Sequence, residues 1–265
     1  MKLKEISQNW RAMMMVAEMT FRMQITDSFI IFVILIQPLA IAVLGLWMLK
    51  DKGPDIGMFV IVGSGMTGLW SSLLFISGGN INFERWVGTL EILVGVPTPF
   101  ELIVYGKNIA SVAQSLVSMI TAYLLAALLF GYSLSIQQPL LFVLSLILTV
   151  FAFISFGLLI APIFVINPTI ENFINGLEFP VYILSGFLFP IALLPGWTTP
   201  LSYLLPPYWA AVALHGTSTG NASLNQTLFA WGMMIVFGLI DFFVARWLFK
   251  IMLHKVRVDA TLRME

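Results

Sequence analysis

The sequence predicts an all-α integral membrane fold: six transmembrane helices, an amino-terminal amphipathic interfacial helix, a charged amphipathic cytoplasmic helix between spans 2 and 3, and re-entrant helices before the last span. Three observations lead there. Apolar residues make up 59% of the chain and charged residues 10%, with a mean hydropathy of +0.96, whereas a soluble domain carries about 25% charged residues. The few charges cluster, leaving long uncharged stretches such as Ser28 to Leu49 and Asn108 to Ile170. A helix of about 20 apolar residues crosses a hydrocarbon core roughly 30 Å thick, so a chain of this length holds about six spans in a single domain.

Residues 1–24 place Leu3, Ile6, Trp10, Met13, Met14, Ala17 and Phe21 at three-and-four spacing, while Lys4, Glu5, Gln8, Arg11, Glu18 and Arg22 lie mostly elsewhere around the helix. This pattern predicts a helix on the membrane surface, since an aromatic and methionine stripe would be idle on a flexible leader in water. Span 1 is expected over 28–49, kinked at Gln37-Pro38 because proline removes a backbone donor. Lys50 to Pro54 form a turn. Span 2, over 57–77, is rich in small residues (Gly63, Ser64, Gly65, Gly68, Ser71, Ser72) that let a neighbouring helix come close. Gly78 and Gly79 end it.

The segment 82–97 (NFERWVGTLEILVGVP) breaks the apolar pattern with charge. Read as one helix, it puts Trp86, Val87, Leu90, Leu93 and Val94 on one stripe and Glu84, Gly88, Glu91 and Gly95 on the other. The first stripe is expected against the spans or lipid, and the second is expected to be presented to another protein. Two glycines on that face cost roughly 1 kcal/mol each in helix propensity, a penalty that suits close approach of a partner's backbone.

Span 3 follows over 101–130 and span 4 over 140–166, joined by a break at Gly131 to Pro139, with Asn167-Pro168-Thr169 stopping the helix. Span 5 is expected over 174–194, with Pro180 and Pro190 inside it and Glu178 near its water boundary. The segment 195–216 is apolar, yet its four prolines forbid one spanning helix. Two short helices dipping into the outer leaflet are expected, one capped at Thr199-Pro200 and one begun by Pro206-Pro207. Trp197, Tyr203, Tyr208 and Trp209 suit an interfacial belt. Span 6 covers 228–249. Placing both termini in the cytoplasm puts 11 of the 13 basic residues on that side, leaving Lys50 and Lys52 outside.

Several function classes are excluded or disfavoured. Thirteen basic and thirteen acidic residues give a net charge of zero, which offers nucleic acid no basic surface. Without cysteine there is no disulfide framework and no thiolate chemistry. His215 and His254 are far apart in sequence, so no metal site and no catalytic residue is expected. A secondary transporter or channel would need coupling-ion residues inside the spans. Asp241 is the one serious candidate, because a mid-span carboxylate is costly unless paired or wetted. Asp241 could line a substrate path or hold a structural role near Arg246. Gln37 is a second polar residue for the path, or a helix-to-helix hydrogen-bond donor.

The stretch ERWVGTLEILVGVPTPFELIVYGK resembles the Glu-Arg, Gly-Thr-Leu-Glu, Pro, Glu, Gly-Lys succession of type-2 ATP-binding-cassette (ABC) permeases, and LSGFLFPIALLPGWTTPLSYLLPPYW is similar to that family's segment at the end of span 5. The resemblance covers essentially the whole chain, with Trp86-Val87 standing where relatives often carry more charge. It implies that Glu84, Arg85, Gly88, Thr89, Leu90, Glu91 and Pro97 dock a cytosolic ATPase, and that Pro190, Pro195, Trp197 and Pro200 shape an external gate. It further implies an exporter of amphipathic or lipid-like cargo in a bacterial cytoplasmic membrane, with two ATPase subunits and a second, identical or related permease as partners. ATP and magnesium belong to those ATPases. The one Gly-Lys pair here, Gly106-Lys107, has Glu101 where a phosphate-binding loop needs its first glycine and Asn108 where it needs Ser or Thr.

Overall fold

A computed structural model describes residues 2–48, 54–75, 80–130, 135–167 and 171–259, and all of the regular structure in them is helical. The turns expected at Lys50 to Gly53, Gly78-Gly79 and Gly131 to 134, and the stop at Pro168-Thr169, lie outside the described residues.

Helix α1 (Lys2–Gln24) runs beside α7 (Phe100–Phe130). Its buried stripe is Met13, Ala17, Thr20 and Gln24, while Trp10, Met14, Met15, Met19 and Met23 are exposed. The stripe that packs on α7 therefore runs beside the apolar one: Met13 and Ala17 belong to both, while Trp10 and Met14 stay exposed. Contact with α7 sets it: a Cβ on Gly106 would meet the Met13 carbonyl oxygen at 2.6 Å, and the Gln24 amide reaches Ser111 at 3.4 Å.

Asp27 caps the next helix by accepting from the amides of Phe29 and Ile30. A continuous helical run then passes through α2 (Ser28–Ile31), a π turn (Phe32–Ile36) and α3 (Gln37–Met48). The Gln37 amide donates five residues back to Phe32, just ahead of Pro38, which has no amide of its own. The expected kink thus takes the form of a π turn, one of the recognised ways a helix absorbs a register change.

Helix α4 (Pro54–Leu73) is the central element and is almost wholly buried. Its small residues permit the close packing expected of them. A Cβ on Gly65 would meet the Met119 side chain at 2.6 Å, and one on Gly63 would meet the Phe187 carbonyl oxygen at 1.9 Å. Ser115 of α7 donates to Ser72 at 2.9 Å, so hydroxyls as well as van der Waals contact join the two helices.

The main core gathers Met66, Leu69 and Trp70 of α4 with Phe153 and Phe164 of α8 (Pro139–Ile166), Leu214 of α11 (Pro206–Thr219) and Met234 of α12 (Leu224–Asp259). A second cluster joins α7, α8 and α12 through Phe100, Leu158, Val165 and Phe249. At 1.5 Å per residue, the 36 residues of α12 extend about 54 Å, well beyond a hydrocarbon core. Ser223 and Gln226 form a reciprocal capping box at its start, with amide-to-side-chain distances of 3.0 and 3.3 Å.

Among the described residues, four helices are long and apolar enough to cross a membrane: Ile56–Leu73, Phe100–Leu129, Pro139–Ile166 and Leu224–His254. The other two expected spans are built from shorter pieces. Span 1 is divided by the π turn. Span 5 becomes α9 (Glu171–Leu184), which stops ten residues before the expected end. Gly186 at φ 72° turns the chain, and the Phe187 amide closes back on the Tyr182 carbonyl. Pro190 therefore lies outside the helix that was expected to contain it. Short 3₁₀ turns at Ile191–Leu193 and Gly196–Thr198 lead into α10 (Thr199–Leu204) and α11. The expected helical pair is present, with the first cap at Thr198 instead of Thr199 and the second helix continuing to Thr219, where Gly220 at φ 75° ends it.

Candidate functional site

The charged segment folds as two short helices, α5 (Asn80–Val87) and α6 (Leu90–Gly95). Gly88 separates them at φ 80°, a backbone conformation that costs other residues about 1–2 kcal/mol. The break corrects the reading of 82–97 as one helix. The Thr89 amide and hydroxyl both reach back to the Glu84 carbonyl, at 2.8 and 3.2 Å, and the Leu93 amide bonds the Thr89 carbonyl to start α6.

Breaking the helix resets its phase, so the two faces are not the ones the single-helix pattern predicts. Glu84 and Arg85 turn inward. Glu84 forms an ion pair with Lys107 of α7, and Arg85, only 6% exposed, donates from Nη2 to the Val165 carbonyl of α8. Burial pulls the Arg85 guanidinium below the usual arginine range. Leu90 is fully buried among the α7, α8 and α12 side chains, anchoring the start of α6. Trp86, Val87 and Ile92, by contrast, are turned outward, Trp86 and Ile92 at 75% and 66% exposure. Gly88, Gly95 and Pro97 are exposed beside them, while the side chain of Glu91 lies outside the described residues. The result is a knuckle with an apolar tip, held at its base by charge and by Leu90.

A second polar cluster sits between the helices. Glu178 of α9 is buried, and its Oε1 accepts from the Ser71 hydroxyl at 2.6 Å, the Tyr182 hydroxyl at 2.5 Å and the Gln37 amide at 3.2 Å. One carboxylate oxygen thus joins α3, α4 and α9. Its expected place at a water boundary is corrected, and Gln37 acts as the helix-to-helix donor. Glu178 and Tyr182 stand one helical turn apart, a spacing visible in the sequence. Ser71 and Gln37 become partners only through packing.

Asp241 is buried on α12, and its Oδ2 has no hydrogen-bond partner among the described residues. No ion pair links it to Arg246 among those residues, and Arg246 is exposed. Of the residues expected at a gate, Pro190, Pro195 and Trp197 are exposed along the segment that joins α9 to α10, and Pro200 is exposed at the start of α10. Pro190 borders a cavity of about 1280 Å³ between this segment, α4, α11 and α12. No group of three or more metal-ligating side chains occurs among the described residues.

A family of membrane proteins described as ABC-2 type transporter matches residues 10–218, which includes the knuckle, the Glu178 cluster and most of α11. No curated protein matches the chain.

Proposed function

The chain belongs to the ABC-2 type transporter membrane family, a multi-pass permease component of ABC transporters, and from that membership we propose that it is the membrane subunit of an ATP-driven exporter whose knuckle at Trp86–Ile92 receives force from a separate ATPase. The observation that carries this reading is the contrast within the knuckle. Its base is locked to α7 and α8 through Glu84, Arg85 and Leu90, while its tip exposes Trp86, Val87 and Ile92. Large apolar side chains on a protruding tip are a signature of a docking surface. A push on the tip would pass through the base into two long helices, as rigid-body switching requires.

In this arrangement both termini and the knuckle face the cytoplasm, α1 lies in the interface with its methionines toward lipid, and α10 and α11 enter the outer leaflet. Two such permeases, identical or related, sit on two ATPases that hold ATP and magnesium. Glu84, Arg85 and Leu90 position the knuckle, while Gly88, Thr89, Glu91 and Pro97 shape its tip. Cargo is an amphipathic or lipid-like molecule moved outward. Asp241 stands as a polar point on or near that path.

The test is association and stimulated hydrolysis. The chain is purified from its host membrane, reconstituted in nanodiscs with the ATPase that accompanies it, and compared with a Trp86→Asp, Ile92→Asp variant. The reading predicts at least a tenfold loss of ATPase binding in a variant that remains monodisperse. Transport by the reconstituted chain with no ATPase present would replace it with an ATP-independent carrier.

A further inference from the structure

We propose that the cavity between α4, α11 and α12 is a lipid-binding site within a single chain, selective for an uncharged amphiphile with a hydroxyl- or amide-bearing head and one apolar tail. At about 1280 Å³ the cavity exceeds the roughly 300–1,000 Å³ of sites that hold drug-sized ligands. Among the described residues its lining contains no Asp, Glu, Lys or Arg. A charged head inside it would meet no counter-charge among those residues, which disfavours ionic ligands.

The lining is graded from polar to apolar along two helices. On α12 the same face carries Asn225, Phe229 and Met233, one turn apart, so polar and apolar ends are separated by about 12 Å. On α11 it carries Thr219, Gly216, Val212 and Tyr208, polar at the end nearest the α11–α12 turn. Asn221 in that turn adds a second amide. On α12 the amides therefore lie at one end of the cavity and carbon at the other, while on α11 His215 and Tyr208 add polar atoms farther along.

An aromatic shelf closes the apolar side. Trp209 lies 5.6 Å from Tyr203, 4.9 Å from Tyr208 and 5.4 Å from Phe229, measured between ring centres. The Trp209 indole N–H is already used, donating to the Tyr203 carbonyl at 3.0 Å, so it is not free to bind a ligand's head. The His215 ring, also in the lining, stacks on Phe59 with centres 3.7 Å apart, which makes that part of the wall flat as well. Flat aromatic walls and an uncharged amide rim match a neutral lipid better than the phosphate of a bulk phospholipid, which would seek Arg or Lys.

The experiment needs no ATPase and is independent of the direction of transport. The full chain in phosphatidylcholine nanodiscs is photolabelled with a monoacylglycerol carrying a diazirine in its tail, and in parallel with a lysophosphatidic acid of the same tail. The expected result is saturable labelling by the neutral probe that maps to the peptides lining the cavity around Val212, Phe229 and Met233. It should exceed labelling by the charged probe at least fivefold and be competed by unlabelled monoacylglycerol. The cavity-filling variants Val212→Trp and Met233→Trp, made separately, should each reduce it at least fivefold. Equal labelling by both probes, labelling that competitor leaves unchanged, or labelling confined to the exposed Leu239, Ile240 and Phe243 of α12 would show ordinary annular lipid and overturn the proposal.

Discussion

Arg85 donates from its guanidinium to the main-chain carbonyl of Val165, tying the helix before the Gly88 break to the last turn of α8. That tie joins a short surface element to a membrane helix without leaving the position to side-chain packing alone. A hydrogen bond from a charged group to a buried carbonyl contributes about 1.5–3 kcal/mol.

Arg85→Gln should lower the melting temperature of the purified protein and loosen the knuckle, read as faster hydrogen exchange over Asn80–Gly95. Lysine should not substitute fully, because the planar guanidinium fits this site and a flexible ammonium does not. Equal exchange in Arg85→Gln and the parent would show that the tie does not hold the knuckle.

Gly88 offers a sharper separation of backbone from packing. A Cβ there would meet nothing within 4 Å, but φ is 80°. Gly88→Val should therefore weaken the knuckle through strain alone, while Gly88→Asn should be tolerated because asparagine visits this region. Gly95 also has open space and no positive φ, so Gly95→Ala should change stability by less than about 0.5 kcal/mol. Thermal unfolding of the three variants checks the order.

Around Glu178 the prediction concerns coupling. Glu178→Ala removes the acceptor shared by the Tyr182 and Ser71 hydroxyls, which keep the Thr67 carbonyl, and leaves the half-buried Gln37 amide without its partner, a loss of about 1–3 kcal/mol. Tyr182→Phe removes one donor and should cost less. The double variant should destabilise by clearly less than the sum of the two, because both changes act on one network. Additive effects in detergent unfolding would mean the two side chains act separately.

Gly63 tests the closeness of α4 to the turn after α9. A Cβ at this position would meet the Phe187 carbonyl oxygen at 1.9 Å, and backbone cannot move aside cheaply. Gly63→Ala should be among the most destabilising small substitutions in the chain, read as loss of monodisperse protein. Gly232→Ala, which meets nothing within 4 Å, is the matched control and should behave as the parent.

Much of this architecture is legible in the sequence because hydropathy and small-residue spacing act locally. The surface pattern of α1, the Gly/Ser face of α4 and the proline-started pair α10 and α11 all carry their own signals. The break at Gly88 is not legible, since a glycine costs a helix only about 1 kcal/mol and burial of Leu90 in a distant cluster decides the matter. The early end of α9 is masked because residues 185–194 stay apolar after Gly186 has turned the chain. Glu178 reads as a boundary charge until α3 and α4 bring Gln37 and Ser71 to it. The inward turn of Glu84 and Arg85 likewise depends on Lys107 and Val165, which lie 23 and 80 residues away.

Because the sequence contains no cysteine, one thiol introduced at Ile92 is the only one on the chain and reports the knuckle alone. The most direct measurement is cross-linking from Ile92→Cys in intact cells with a membrane-permeant photoactivatable maleimide, followed by identification of the attached protein. The account predicts attachment to a nucleotide-hydrolysing subunit, and no labelling of this thiol by an impermeant maleimide added outside. Labelling from outside, or cross-links to lipid alone, would contradict it.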